Sequence, residues 1–184
     1  MAIAIDNRCS RHFTYADLIQ CGHTWHKLAS DPATRIANVP TQAATWGAME
    51  QLAQQILDPL MDHFGSIELT YGFAGPALTR HIKSRIAPRL DQHAGSELNR
   101  AGRLICPRRG LACDLRIQGH GAEAVASFIV EHLPFDRIYL YGSDRPLHIS
   151  IGPENTQQVT EMRPNATGRL VPRSYRPGEW PQSN

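Results

Sequence analysis

Two residues of this 184-residue chain stand where a carboxylate and an imidazole need a use. Asp114 interrupts Leu111-Ala112-Cys113-Asp114-Leu115-Arg116-Ile117, whose alternating apolar residues read as a strand. His148 lies within a second apolar run, Leu147-His148-Ile149-Ser150-Ile151. A carboxylate in a sheet is costly unless it is paired, hydrogen-bonded or bound to a metal. Neutral imidazole and carboxylate together suit Zn²⁺, which in hydrolytic sites takes three protein ligands and leaves a fourth position for water. The plain alternative is an Asp114 turned to solvent and a His148 hydrogen-bonded within the sheet. Nine histidines, at 12, 23, 26, 63, 81, 93, 120, 132 and 148, supply candidates for a third ligand. Most of them have ordinary surface or core roles.

The elements that must hold these residues follow from periodicity. Tyr15–Gln20 reads as a short helix. Thr41 is placed as the N-cap of a long one, with Trp46, Met49, Ala53, Ile56, Leu57, Leu60 and Phe64 on its apolar stripe and Gly65 at its end. Pro59 should kink its last turns. Strands are expected at Ile67–Phe73, Leu111–Ile117, Arg137–Tyr141 and Leu147–Ile151, and helices at Pro76–Ile86 and Ala122–Leu133. Cys113, alternating with Asp114, should face the core. Residues 87–110 are Arg- and Gly-rich and unusually long for a loop inside a compact domain, which points to function or disorder. From residue 153 the chain is polar and rich in Pro, Arg and Asn, and is expected to form an arm or tail. This order of elements argues for an α+β fold with a small, mainly antiparallel sheet flanked by helices.

Composition narrows the function. A net charge of +2 with no long single-sign run disfavours a dominant nucleic-acid surface. No apolar run approaches the ~20 residues needed to cross a bilayer. The four cysteines form no CxxC pair, so a cysteine zinc knuckle is not indicated. With no basic-then-apolar leader at the N-terminus, the expected location is cytoplasmic.

Several segments, in order, resemble the zinc DD-peptidase superfamily, which includes D-alanyl-D-alanine carboxypeptidases, L-alanyl-D-glutamate endolysins and the hedgehog signalling domain. They are His12-Phe13-Thr14-Tyr15-Ala16-Asp17-Leu18, Ile56-Leu57-Asp58-Pro59-Leu60, Leu69-Thr70-Tyr71-Gly72-Phe73, Gly110-Leu111-Ala112-Cys113-Asp114 and Leu147-His148-Ile149-Ser150. The likeness spans about residues 12–155 and implies a hedgehog/DD-peptidase-like domain over 1–152, followed by the polar arm 153–184. It implies Asp114 and His148 as zinc ligands. Pro107 stands where the family places its first histidine, but Asp91-Gln92-His93-Ala94-Gly95 resembles the first half of that motif. On this reading His93 is the third ligand and residues 94–109 are an insertion that splits the motif. The alternatives are a degenerate site, or His81 or His120 in that role.

The accessory positions depart from the family. Ala74 replaces the arginine that would steady an oxyanion, leaving Arg109, Arg108 or Arg80 as substitutes. Arg145 stands where the general base is expected, which makes Asp144 and Glu97 the candidates for that role. The resemblance therefore implies a zinc-dependent amide hydrolase acting on a small peptide, of the peptidoglycan type. The competing expectation is a non-catalytic, zinc-containing binding module on the same fold, presenting its Arg-rich loop to an acidic partner. Nucleic acid is a disfavoured partner, and the sequence does not speak to oligomeric state.

Overall fold

The structure, a computed structural model, describes residues 3–20, 22–30, 36–82 and 87–181. It is an α+β fold built on one six-stranded sheet. In chain order the elements are α1 (Tyr15–Ile19), α2 (His23–Ala29), α3 (Ala43–Leu52), α4 (Asp58–Phe64), β1 (Glu68–Tyr71), α5 (Pro76–Thr79), β2 (Leu111–Arg116), α6 (Ala122–His132), β3 (Arg137–Leu140), β4 (Leu147–Ile151), β5 (Gln158–Pro164) and β6 (Leu170–Tyr175). The sheet order is β1-β2-β4-β3-β5-β6, antiparallel throughout except for the parallel pair β3–β5. Among the described residues no helix is long and apolar enough to cross a membrane.

Side-chain alternation sorts the sheet into two faces. Leu111, Cys113 and Leu115 of β2, Leu147, Ile149 and Ile151 of β4, and Ile138 and Leu140 of β3 join one apolar core with Met49, Leu52, Ile56 and Leu57. Cys113 is fully buried there. The intervening residues, Asp114, His148 and Tyr139 among them, belong to the opposite face. Residues of the 87–110 segment lie against that face.

The long helix runs from Ala43 to Phe64 with a π-helical turn at Ala53–Leu57. Pro59 has no N–H for the carbonyl of Gln55, and its ring would press on that carbonyl. Widening the preceding turn accommodates both. The disturbance thus lies before Pro59 rather than in the last turns. The helix begins one residue later than its sequence suggests, with Gln42 at the cap and no capping bond from its own side chain.

Two further expectations change. The helix from Pro76 is observed only to Thr79, and residues 83–86 of the expected span lie outside the described residues. Of the expected arm 153–184, residues 182–184 lie outside the described residues, and within 153–181 the strands β5 and β6 extend the sheet beyond β3, with Val159, Tyr175 and Trp180 buried in the core. Trp180 Nε1 donates to Glu161 Oε1 at 2.7 Å and Tyr175 Oη to Glu161 Oε2 at 3.2 Å. These donors let a charged residue occupy the packed face of β5.

Candidate metal centre

Adjacent strands deliver the first two candidate ligands. In the β2–β4 ladder Asp114 is the direct partner of His148, and in the β3–β4 ladder His148 is the partner of Tyr139. Residues directly opposite share one face of the sheet, so this register alone brings carboxylate and imidazole together. His148 Nδ1 lies 2.8 Å from Asp114 Oδ1. A β-bulge between Leu69 and Tyr71 sets Tyr71 against Asp114 and turns the chain so that the carbonyl of Gly72 faces the site.

The third candidate ligand arrives from the 87–110 segment. His93 sits in the turn Gln92–Gly95, where its carbonyl accepts from Ala74 N at 3.0 Å. Its Nδ1 is 3.0 Å from Gly72 O and its Nε2 is 3.3 Å from Asp114 Oδ1. Ligand atoms of His93, Asp114 and His148 all lie within 4.8 Å of one another, the one such group among the described residues. His81 and His120 are not part of it. His93 and His148 are buried, and 28% of the Asp114 side chain reaches solvent. The ring of Tyr71 packs edge-on against His93, and that of Tyr139 against His148.

Hydrogen bookkeeping shows what this cluster wants. A carbonyl only accepts, so His93 Nδ1 carries the hydrogen and the Nε2 lone pair points at the Asp114 carboxylate. Two electron-rich atoms facing each other need a cation between them, either a proton or a metal. Burial alone would depress the His93 pKa, yet the charge and hydrogen bond of Asp114, with Asp91 and Gly72 O adding, hold it above its ordinary value. Burial would likewise raise Asp114, but the two imidazoles hold it well below the usual carboxylate range. Without a metal the pair therefore favours a proton shared where a cation would sit.

The donor set fits zinc. A tetrahedron with bonds of ~2.0–2.1 Å has edges of about 3.3 Å; the His93–Asp114 spacing matches that edge, while the 2.8 Å between His148 Nδ1 and Asp114 Oδ1 is a hydrogen-bond distance that metal binding would have to widen. The His93–Gly72 bond is the kind of outer contact that fixes a ligand's tautomer. The buried Nε2 of His148 has no hydrogen-bond partner among the described residues, which leaves that ring's second nitrogen unassigned.

The accessory candidates are dispersed. Glu97 is buried at the N-terminus of α3, where it accepts from Thr41 N, Thr41 Oγ1, Gln42 N and Thr45 Oγ1 at 2.5–3.1 Å. Its oxygens are occupied by the unpaired donors of a helix start, not turned to the metal ligands. Asp144 is exposed on the β3–β4 turn and lines a cleft of about 660 Å³ with Glu68, Arg116 and His120, a cleft the three ligands do not line. Arg109 is exposed, and its backbone carbonyl is what is used, accepting from Gln92 Nε2. Its neighbour Arg108 reaches the site instead, with Nη1 donating to Tyr139 Oη at 3.1 Å and to the carbonyl of Leu90.

Three contributors escape sequence reasoning. Asp91 accepts from His93 N at 3.4 Å, and its charge is felt by both His93 and Tyr141. Tyr141, just beyond β3, is 44% exposed, and partial burial of its hydroxyl together with the charge of Asp114 pushes it up to about 12. Gln92 is fully buried beside His93. Strand phase was the available signal for Tyr139, which the β3–β4 register sets opposite His148. Comparison with protein-family models, with curated proteins and with solved structures finds no match to this chain.

Proposed function

We propose that this protein is a zinc-dependent hydrolase of an amide bond in a small peptide, of the hedgehog/DD-peptidase-like kind. One observation carries the reading. Two imidazole nitrogens converge on a single oxygen of Asp114, and one of them has its lone pair committed to that direction by the Gly72 carbonyl. Zinc held by His93, Asp114 and His148 would supply Lewis acidity towards a carbonyl oxygen and lower the pKa of water. Around it the chain's own groups do the positioning. Arg108, anchored on Tyr139 and Leu90, offers a guanidinium in place of the one lost at Ala74. Asp91 accepts from the backbone amide of His93, whereas Glu97 is engaged at the start of α3 and Asp144 lies on the β3–β4 turn.

Two imidazoles and a carboxylate also serve iron and manganese, so metal identity is the first measurement. Elemental analysis of the purified protein should find one zinc per chain, and none in His93→Ala, Asp114→Ala or His148→Ala. Incubation with muropeptides and with D-Ala-D-Ala peptides should then release free amine in a zinc-dependent manner. A wild-type chain that takes up no zinc sinks the proposal. The second reading, a zinc-containing module that binds an acidic partner, draws support from the remote placement of Glu97 and Asp144 and from the exposed Arg100 and Arg103. A zinc-loaded protein inert on every peptide would favour it.

A further inference from the structure

Gln92 is fully buried and has a backbone φ of +59°, a left-handed conformation that side chains other than glycine adopt at a cost. Such strain persists only where the surroundings over-determine it. Here they do. The side-chain Nε2 lies 2.9 Å from Arg109 O, 3.0 Å from Asp136 Oδ2 and 3.2 Å from Ile151 O, and Oε1 accepts from Ser150 Oγ at 2.8 Å. Asp136 is itself fixed by Arg137 at 2.6 Å and by the amide and hydroxyl of Thr156 at 2.8 and 2.9 Å. A Cβ on Gly152 would stand 2.7 Å from both Asp136 Oδ2 and Gln92 Nε2, so glycine there leaves room for this contact.

The partners of this one amide are the roots of the ligand-bearing segments. His93 follows Gln92 directly. Arg109 and Gly110 lead into β2, which carries Asp114. Ser150 and Ile151 belong to β4, which carries His148. The Gln92–Arg109 bond also joins the two ends of the 94–109 excursion across 17 residues. Within that excursion Leu98 and Leu104 form a bridge, and Glu97 is tied to α3, so its tip is organised separately from its base.

We propose that Gln92 is the positioning residue that makes one metal centre out of a ligand set split by the 94–109 excursion. It clasps the excursion's base to β4 and thereby aims His93 at Asp114. The inference rests on the metal-centre reading and says which part of the chain creates the site's geometry. A merely structural role for Gln92 would make its loss independent of excursion length. A clasp makes the two dependent, because a shorter connection holds its own ends together at less entropic cost.

The test uses Gln92→Met, similar in length and without hydrogen bonds, alone and combined with replacement of residues 98–104 by Gly-Gly. Zinc affinity is read by competition with a chromogenic chelator, and ligand geometry by the visible spectrum of the cobalt-loaded protein. Gln92→Met should weaken zinc about 10–100-fold, as loss of outer-shell support does elsewhere, and change the cobalt spectrum. The shortened excursion should leave the affinity of the clasped wild type unchanged and restore about 1.7-fold of the loss in Gln92→Met, the loop-closure difference between a connection of about 17 residues and one of about 12. Should Gln92→Met not fold, Ser150→Ala removes only the donor to Oε1 and should weaken zinc about threefold to tenfold. Wild-type affinity in a folded Gln92→Met or in Ser150→Ala, or no restoration by shortening, overturns the clasp alone. A wild type that binds no metal removes the centre and the clasp together.

Discussion

Glu97 and Asp114 are both carboxylates held within the fold, and their surroundings differ in one decisive respect. Every group around Glu97 brings a hydrogen: two backbone amides at the start of α3 and two threonine hydroxyls. Its charge is consumed by donors that cannot withdraw. Asp114 faces two imidazole nitrogens, and an imidazole nitrogen can present either a hydrogen or a lone pair. At His93 the Gly72 carbonyl settles which, and the Nε2 lone pair faces the carboxylate, an arrangement that favours a proton or a metal between them. A buried carboxylate thus becomes informative about function only when its neighbours' hydrogens are counted. Burial alone would rank Glu97, at 1% exposure, above Asp114.

This contrast can be broken by experiment. Replacing Asp114 with alanine should reduce bound metal from one equivalent to none, a loss beyond the 10–100-fold typical of an outer-shell contact, while Glu97→Ala keeps the metal. Glu97→Ala should instead cost about 3 kcal/mol in denaturant unfolding, since it strips several orphan donors of a charged acceptor. A folded Glu97→Ala lacking metal would erase the distinction. The pH profile sharpens it further. His93 is raised from 6.5 in the fold, so its contribution is complete below about pH 6.5 and is lost as pH rises through the folded value. Asp114 is lowered from 3.8, so its contribution is present above about pH 3.8 and is lost as pH falls through its folded value. Metal-free protein should therefore be most stable between these limits, and zinc affinity should climb with pH as the His93 proton is released. Chelator-treated protein melted across pH 2–9 reads the first, and zinc competition reads the second. The smallest effect is expected at Glu161, whose donors resemble those of Glu97. Trp180→Phe deletes one charge-assisted bond and should cost about 1–2 kcal/mol by denaturant titration, with no change in metal.

How much could be read beforehand tracks the range of the interactions involved. Asp114 and His148 were legible because strand parity is local, and pairing their strands puts them opposite one another. The core face followed from the same alternation, Cys113 included. His93 depended on the base of a long excursion closing, which no local pattern encodes. The role of Glu97 was hidden because its helix start lies 52–56 residues away in the chain. The last two strands were missed because β5 carries Glu161 and Arg163 where a packed face would show apolar residues. Tyr175 and Trp180, from further along, make that charge tolerable.

The C-terminal hairpin has a consequence for how the molecule meets its own copies. Without it, β3 would end the sheet with three of its four residues buried and one side of its backbone unpaired. A short apolar border of that kind is a template for adding strands from other chains, the route to aggregation. With β5 and β6 in place the border becomes Leu170–Tyr175, where Pro172 offers no amide hydrogen and Arg173 brings charge. The hairpin therefore covers that border, and a chain cut at residue 152 should self-associate even if its three candidate metal ligands remain intact.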